Sequence, residues 1–300
     1  MTKFKAWVSA FRLRTLPLAM AGIILGSFLA VAEGSFSWDI SLFAVLTAVL
    51  LQILSNLAND YGDFSKGTDN ANRVGPTRAL QSGAISQKEM KLALVTSSLL
   101  TLASGIYLLW LSFGSEKLIY ALIFLGIGLL SIWAAIKYTV GKSAYGYHGL
   151  GDFFVFIFFG WVSVVGVYFL QVQTIDLPVF LPASALGLLS AGVLNLNNTR
   201  DIINDKASGK ITLAVKLGYE NARKYQMFLF VITVAISAVY TSLFGTGLWQ
   251  QLYWISVLPL ALVVTKAYAI TYPKDLDPLL KIQALSTLLY AITFGLGQVL

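Results

Sequence analysis

The chain has 300 residues, 57% hydrophobic and only 12% charged, with a formal net charge of +7, one histidine and no cysteine. A soluble protein of this length carries about twice that charged fraction, and a disordered one lacks such apolar content, so both classes are excluded. The absent cysteines exclude disulfides, thiolate-bound zinc, iron–sulfur clusters and thiol nucleophiles, and one histidine cannot build a multi-histidine metal site.

Nine apolar runs follow in chain order, at 16–32, 39–58, 92–112, 118–137, 152–171, 178–197, 226–244, 251–271 and 279–299. Each is near the roughly 20 residues that cross a hydrocarbon core. They are continuous and lack the polar alternation of barrel strands, so they are read as helices. The fold class is therefore an all-α integral membrane protein with about nine transmembrane helices. With the N-terminus in the cytoplasm, Lys117 is the one Lys or Arg of 21 outside, a positive-inside pattern that leaves the C-terminus outside. The basic excess thus reflects topology, and no nucleic-acid partner is expected. The first run is read as a span, although Ala30-Val31-Ala32 resembles a signal-peptide cleavage site.

External connections are short and carry no chemistry, whereas two cytoplasmic connections are rich in Asp, Asn, Gly, Lys and Arg. The second run leads into Asn56, Asn59, Asp60, Asp63, Gly67 and Asp69. On a helix, positions 56, 59, 60 and 63 share one face. The sixth run leads into Asn198, Arg200, Asp201, Asp205, Gly209 and Lys210, where 198, 201 and 205 form the same stripe. A shift of 142 residues superimposes Asn56 on Asn198, Asp63 on Asp205 and Gly67 on Gly209. Residues 1–300 are accordingly read as one membrane domain with a faint internal duplication. Gathered carboxylates need a cation, and oxygen-only donors suit Mg²⁺, which shares its shell with phosphate. Lys66, Arg73, Arg78, Arg200 and Lys210 supply charge for an anion. Acids for metal and bases for phosphate beside an apolar interior point to a lipid diphosphate.

Asn59-Asp60-x-x-Asp63 with Gly67 and Asp69, paired with Asp201-x-x-x-Asp205, resembles the two Asp-rich motifs of the UbiA superfamily of intramembrane prenyltransferases. Asn198 through Gly218, and Tyr147-x-Gly149-Leu150-Gly151-Asp152, look closest to the branch acting on 1,4-dihydroxy-2-naphthoate in menaquinone synthesis. Tyr138-x-x-x-Lys142 is similar to a further motif of the family, and Arg14 precedes Pro17 as the family often has it in helix 1. Gly67 stands where some branches carry a last Asp, so the direct ligands of the first motif stay open.

The resemblance implies a nine-helix bundle with a central cavity opening to the cytoplasmic face of the plasma (inner) membrane. It implies two Mg²⁺ ions bridging the diphosphate of a polyprenyl donor, with Asp60, Asp63, Asp69, Asp201 and Asp205 as metal ligands. Lys142, Arg78, Arg200 and Lys210 would neutralise the leaving diphosphate. Asn56, Asn59, Arg14, Asn198, Tyr147 and Asp152 would contact substrate, and Tyr138 would stand by the allylic cation. Asp152 is read either as a cap of the fifth span or as a guide for the aromatic acceptor. His148 is taken as a solvated loop histidine, and residues 64–90, with Gly67, Gly75-Pro76 and Gly83, as a lid. The implied reaction is prenylation of 1,4-dihydroxy-2-naphthoate with loss of CO2 and diphosphate, giving demethylmenaquinone. Two alternatives stand beside it: prenylation of 4-hydroxybenzoate or homogentisate, and secondary transport using the Asp stripes.

Overall fold

The computed structural model describes residues 2–70, 73–75 and 77–300. Pro76, expected in a lid over the site, lies outside the described residues. Among the described residues, nine helical stretches are long and apolar enough to cross a membrane, in agreement with the sequence.

The chain opens with α1, Lys3–Phe11, capped by the Thr2 side chain. It stops at Arg12, whose φ of 50° puts a non-glycine residue in the left-handed region. After that turn α2, Leu16–Ala32, starts with Pro17 in its first turn, where a missing N–H costs nothing. The long α3, Trp38–Ser65, has 28 residues, about 42 Å at 1.5 Å per residue. This exceeds the roughly 30 Å hydrocarbon core, so its last turns can carry acids past the apolar layer. A reciprocal capping box between Ser86 and Glu89 starts α4, Gln87–Phe113. It is followed by α5, Leu118–Lys137.

The fifth span, Gly151–Val172, joins α6, Gly151–Val155, to α7, Gly166–Val172, through a π-helical stretch, Phe156–Val165. After α8, Phe180–Arg200, come two short helices, α9, Ile202–Ala207, and α10, Leu213–Leu217. The chain ends with α11, Tyr219–Phe244, α12, Trp254–Ala269, and α13, Asp277–Val299.

The best-packed core lies where α2, α8 and α13 meet, around Leu25, Leu186, Tyr290 and Phe294. There α8 crosses the π stretch at Gly160 and Gly187; a Cβ on Gly187 would sit 2.7 Å from the Phe156 carbonyl oxygen. Small residues permit such approach between membrane helices. By contrast, α4 and α5 expose Leu92, Leu99, Trp110, Ile119 and Leu122, as lipid-facing helices do.

Two differences from the sequence reading concern helix ends. α3 continues to Ser65, α4 starts at Gln87 and α11 at Tyr219, because polar turns extend helices beyond their apolar runs. Conversely, the stripe 198–201–205 is not one helix. Asp201, with φ −92° and ψ 6°, ends α8, and α9 starts afresh at Ile202.

Candidate functional site

The end of α3, residues 66–70 and 77–86 of the connection that follows it, the turn at 145–148 and the segment 201–210 meet at one end of the bundle. The first Asp cluster closes around Arg78. Its Nη1 lies 3.2 Å from Asp60 Oδ1 and 3.1 Å from Asp63 Oδ2, and its Nε lies 3.2 Å from Asp69 Oδ1. Arg12 also pairs with Asp60, Arg73 Nε lies 3.2 Å from Asp69, and Lys210 Nζ lies 3.5 Å from Asp63. The three carboxylates are buried, so the guanidinium between them offsets a desolvation cost of several kcal/mol per ion.

The second cluster is held differently. Arg200, 1% exposed, chelates Asp201 at 3.0 and 2.6 Å, binds the Asn197 amide oxygen at 3.0 Å and pairs with Asp277 at the start of α13. Asp205 is buried, and its carboxylate has no ion pair or hydrogen bond among the described residues. Burial pushes it up to about 7, helped by Asp201 and Asp63 against Lys210 and Arg78. Asp69 rises to about 6, mainly through burial, with Arg78 opposing. Burial, then the neighbouring Arg78, lowers Arg73 to about 10.

Beside these charges opens a cavity of about 1390 Å³. Its polar end holds Arg14, Asn56, Asn59, Asp63, Arg78 and Lys210, and its long wall is apolar and aromatic, with Ile106, Phe124, Phe158 and Trp161. The Asn56 amide donates to the Phe11 carbonyl and Thr15 Oγ1, both at 2.9 Å, which ties α3 to the turn at Arg12. Thr139 donates to the Asn59 side-chain oxygen at 3.3 Å. Tyr138 lines the cavity with its ring edge-on to Tyr145, centroids 5.4 Å apart. Burial, then Asp152, raises the Tyr138 phenol well above its ordinary range, so it stays protonated.

Several expected site residues lie elsewhere. Lys142 is exposed and off the cavity wall, because the turn at Gly141, φ 92°, carries it outward. Arg200 is enclosed between Asp201, Asn197 and Asp277 and does not face the cavity. Asn198 and Asp201 are likewise buried behind the wall, and Tyr147 is buried beside it. Asp152 does not cap its helix, and neither of its buried oxygens has a hydrogen-bond donor among the described residues. His148 is exposed, and its carbonyl accepts from Lys216 at 2.7 Å.

The five carboxylates expected to hold metal do not form a preformed cluster. Among the described residues, no three acids converge closely enough to share one ion, since guanidinium groups separate them. The donor set still fits a hard divalent cation: it is all oxygen, it comes from two facing segments, and the buried Asp205 carboxyl makes no ion pair or hydrogen bond among the described residues. Sequence reasoning passed over Arg12, Asp277 and Lys281 as site residues. Arg12, Asp277 and Lys281 line the cavity, and the Asp277-Pro278 start of α13 was the signal for one of them.

The UbiA prenyltransferase family pattern matches residues 19–289. The chain belongs to the UbiA prenyltransferase family. A UbiA relative from Escherichia coli, named 1,4-dihydroxy-2-naphthoate octaprenyltransferase, is 44% identical over 99% of this chain and 96% of its own. One of the same name from Haemophilus influenzae is 42% identical over 98% and 96%. Among solved structures, an apo UbiA homolog from Aeropyrum pernix superimposes with a TM-score of 0.68 at 19% identity, covering 95% of this chain and 97% of its own. A UbiA homolog from Archaeoglobus fulgidus, bound to DMAPP and Mg²⁺, gives 0.58 at 19% identity over 94% and 98%. At that identity these structures speak for the fold.

Proposed function

We propose that this UbiA protein transfers a polyprenyl group from its diphosphate to 1,4-dihydroxy-2-naphthoate, with loss of CO2 and diphosphate, giving demethylmenaquinol, the hydroquinone form of demethylmenaquinone. The observation that carries this is the union of one charged end with a long apolar cavity, in a chain 44% identical to a relative of that name. Confinement of the charges to one end favours transfer over transport, which needs polar groups along a path.

Arg78 and Lys210, beside Asp63 on the wall, receive the diphosphate oxygens, and the apolar wall receives the isoprenoid. Asp60, Asp63, Asp69, Asp201 and Asp205 would hold magnesium, taken as two ions, with Arg78 exchanging carboxylate partners for phosphate ones. When bound, the metal supplies Lewis-acid neutralisation of the leaving group. The donor C1–O bond breaks with its electron pair going to diphosphate, and the ring carbon bearing the carboxylate bonds to C1. The carboxyl carbon then leaves as CO2, its bonding electrons restoring the aromatic ring, so atoms and charge balance without an external proton. Tyr138 and Tyr145 present π faces to the allylic cation, and the apolar wall keeps water from it. Arg14, on the wall and without an ion pair among the described residues, faces the acceptor carboxylate.

The positive-inside charge pattern supports a site at the cytoplasmic face of the plasma (inner) membrane. An acceptor panel tests the assignment: purified protein with polyprenyl diphosphate and Mg²⁺ is offered 1,4-dihydroxy-2-naphthoate, 4-hydroxybenzoate and homogentisate, and products are identified by mass spectrometry. Preference for the naphthoate is expected. Preference for either of the others would overturn the acceptor while leaving the family intact.

A further inference from the structure

Tyr147 itself is not on the cavity wall, yet its turn touches both acid-bearing segments. The Tyr147 phenol donates to Asp63 Oδ1 at 2.8 Å. Its oxygen lies 2.6 Å from Thr68 Oγ1; with the phenol proton directed to Asp63, Thr68 is the donor. Lys66 Nζ lies over the Tyr147 ring, 3.7 Å from its centroid, and Lys210 Nζ, from the second segment, lies 5.5 Å from it. The Tyr147 carbonyl accepts from the Ile211 N–H at 3.2 Å. Two direct links complete the clasp: Asn204 Nδ2 to the Thr68 carbonyl at 3.0 Å, and Asn70 Nδ2 to Ser208 Oγ at 3.3 Å.

From this geometry we infer that Tyr147 is a positioning residue: it fixes Asp63 through Oδ1, leaves Oδ2 for cationic partners, and holds the two Asp-bearing segments in register. Arg78 and Lys210 meet Oδ2, at 3.1 and 3.5 Å. Oδ2 is thus the oxygen available to magnesium and its diphosphate, and the inference rests on the proposed metal-dependent reading. Burial, reinforced by Asp63, raises the phenol above its ordinary range, so it remains a donor at every working pH. Partners that orient a ligating carboxylate commonly change metal affinity about 10- to 100-fold when removed.

The test compares the full chain with Tyr147→Phe, which keeps the ring beneath both lysines and deletes only the hydroxyl. Calorimetry reads the binding of Mg²⁺ with geranyl S-thiolodiphosphate, an unreactive donor analogue, and steady-state kinetics reads donor KM against kcat. The expected result is binding weaker by roughly 10-fold or more and a matching rise in donor KM. kcat at saturation and the melting temperature should change little. Thr68→Val, which removes only the outer hydrogen bond, should move binding the same way by a smaller factor, and it carries the test if Tyr147→Phe does not fold. Wild-type affinity and KM in both variants, or a lowered melting temperature with unchanged affinity, would overturn the positioning role alone. No analogue binding by folded wild-type protein would overturn the metal–diphosphate reading and this inference with it.

Discussion

Arg78 is the residue on which the site's electrostatics turn. It is one cation facing three buried carboxylates, and its fork spans Asp60 and Asp63 with one nitrogen and Asp69 with another. A lysine cannot reproduce that fork. Arg78→Met should destabilise the metal-free protein by about 3–5 kcal/mol, the usual cost of stranding a buried charge, read as a lower melting temperature in detergent. Asp60→Asn and Asp63→Asn keep the side-chain shape and remove charge; each should cut turnover on the order of 100-fold or more while the protein stays folded. Full activity in either purified variant would remove that residue from the metal site. Asp205 and Asp69 give a pH signature. Their folded-state values, about 7 and about 6, lie above the unfolded value of 3.8. The native state therefore binds more protons between pH 4 and 7, and these two groups make the metal-free protein less stable as pH rises through that window. Melting in EDTA at pH 5, 6, 7 and 8 should show the decline, and Mg²⁺ should raise the melting temperature more at pH 8 than at pH 5. A larger Mg²⁺ effect at pH 5 would contradict the shifts.

At the level of elements, the stripe Asn56–Asp60–Asp63 was legible because α3 stays regular to Ser65, so spacing alone predicts the shared face. The second stripe was legible as a cluster and illegible as geometry. A turn at Asp201 breaks the periodicity, and nothing in the spacing of 198, 201 and 205 announces it. Arg12 was read as a topology charge because a left-handed residue between α1 and α2 lies outside any helical period. Lys142 failed for a related reason: its motif fixes a spacing from Tyr138, but the turn at Gly141 decides which way the side chain points. The nine spans were readable from hydropathy, whereas their tight crossing at Gly160 and Gly187 appears only in three dimensions. Gly187→Leu would drive a side chain into the Phe156 backbone. Overpacking there should destabilise the bundle by about 1–3 kcal/mol or more, seen as loss of monodisperse protein on heating. Unchanged behaviour would show that the crossing can open.

For the whole molecule, the charge pattern, the acid-bearing helix ends and the cavity's polar end make one claim about sidedness. The chain has no cysteine, so single-cysteine variants report topology without background. Ser143→Cys should react with an impermeant maleimide only in inverted vesicles and Ser115→Cys only in right-side-out cells; the opposite pattern would invert the membrane orientation. The chemistry is tested most directly with carboxyl-labelled 1,4-dihydroxy-2-naphthoate, a polyprenyl diphosphate and purified protein, with Mg²⁺ or EDTA. The expected result is one labelled CO2 released per prenylated product, with both abolished by EDTA and restored by Mg²⁺. Prenylated product that retains the label, or turnover undiminished in EDTA, would contradict the proposed metal-dependent decarboxylating transfer.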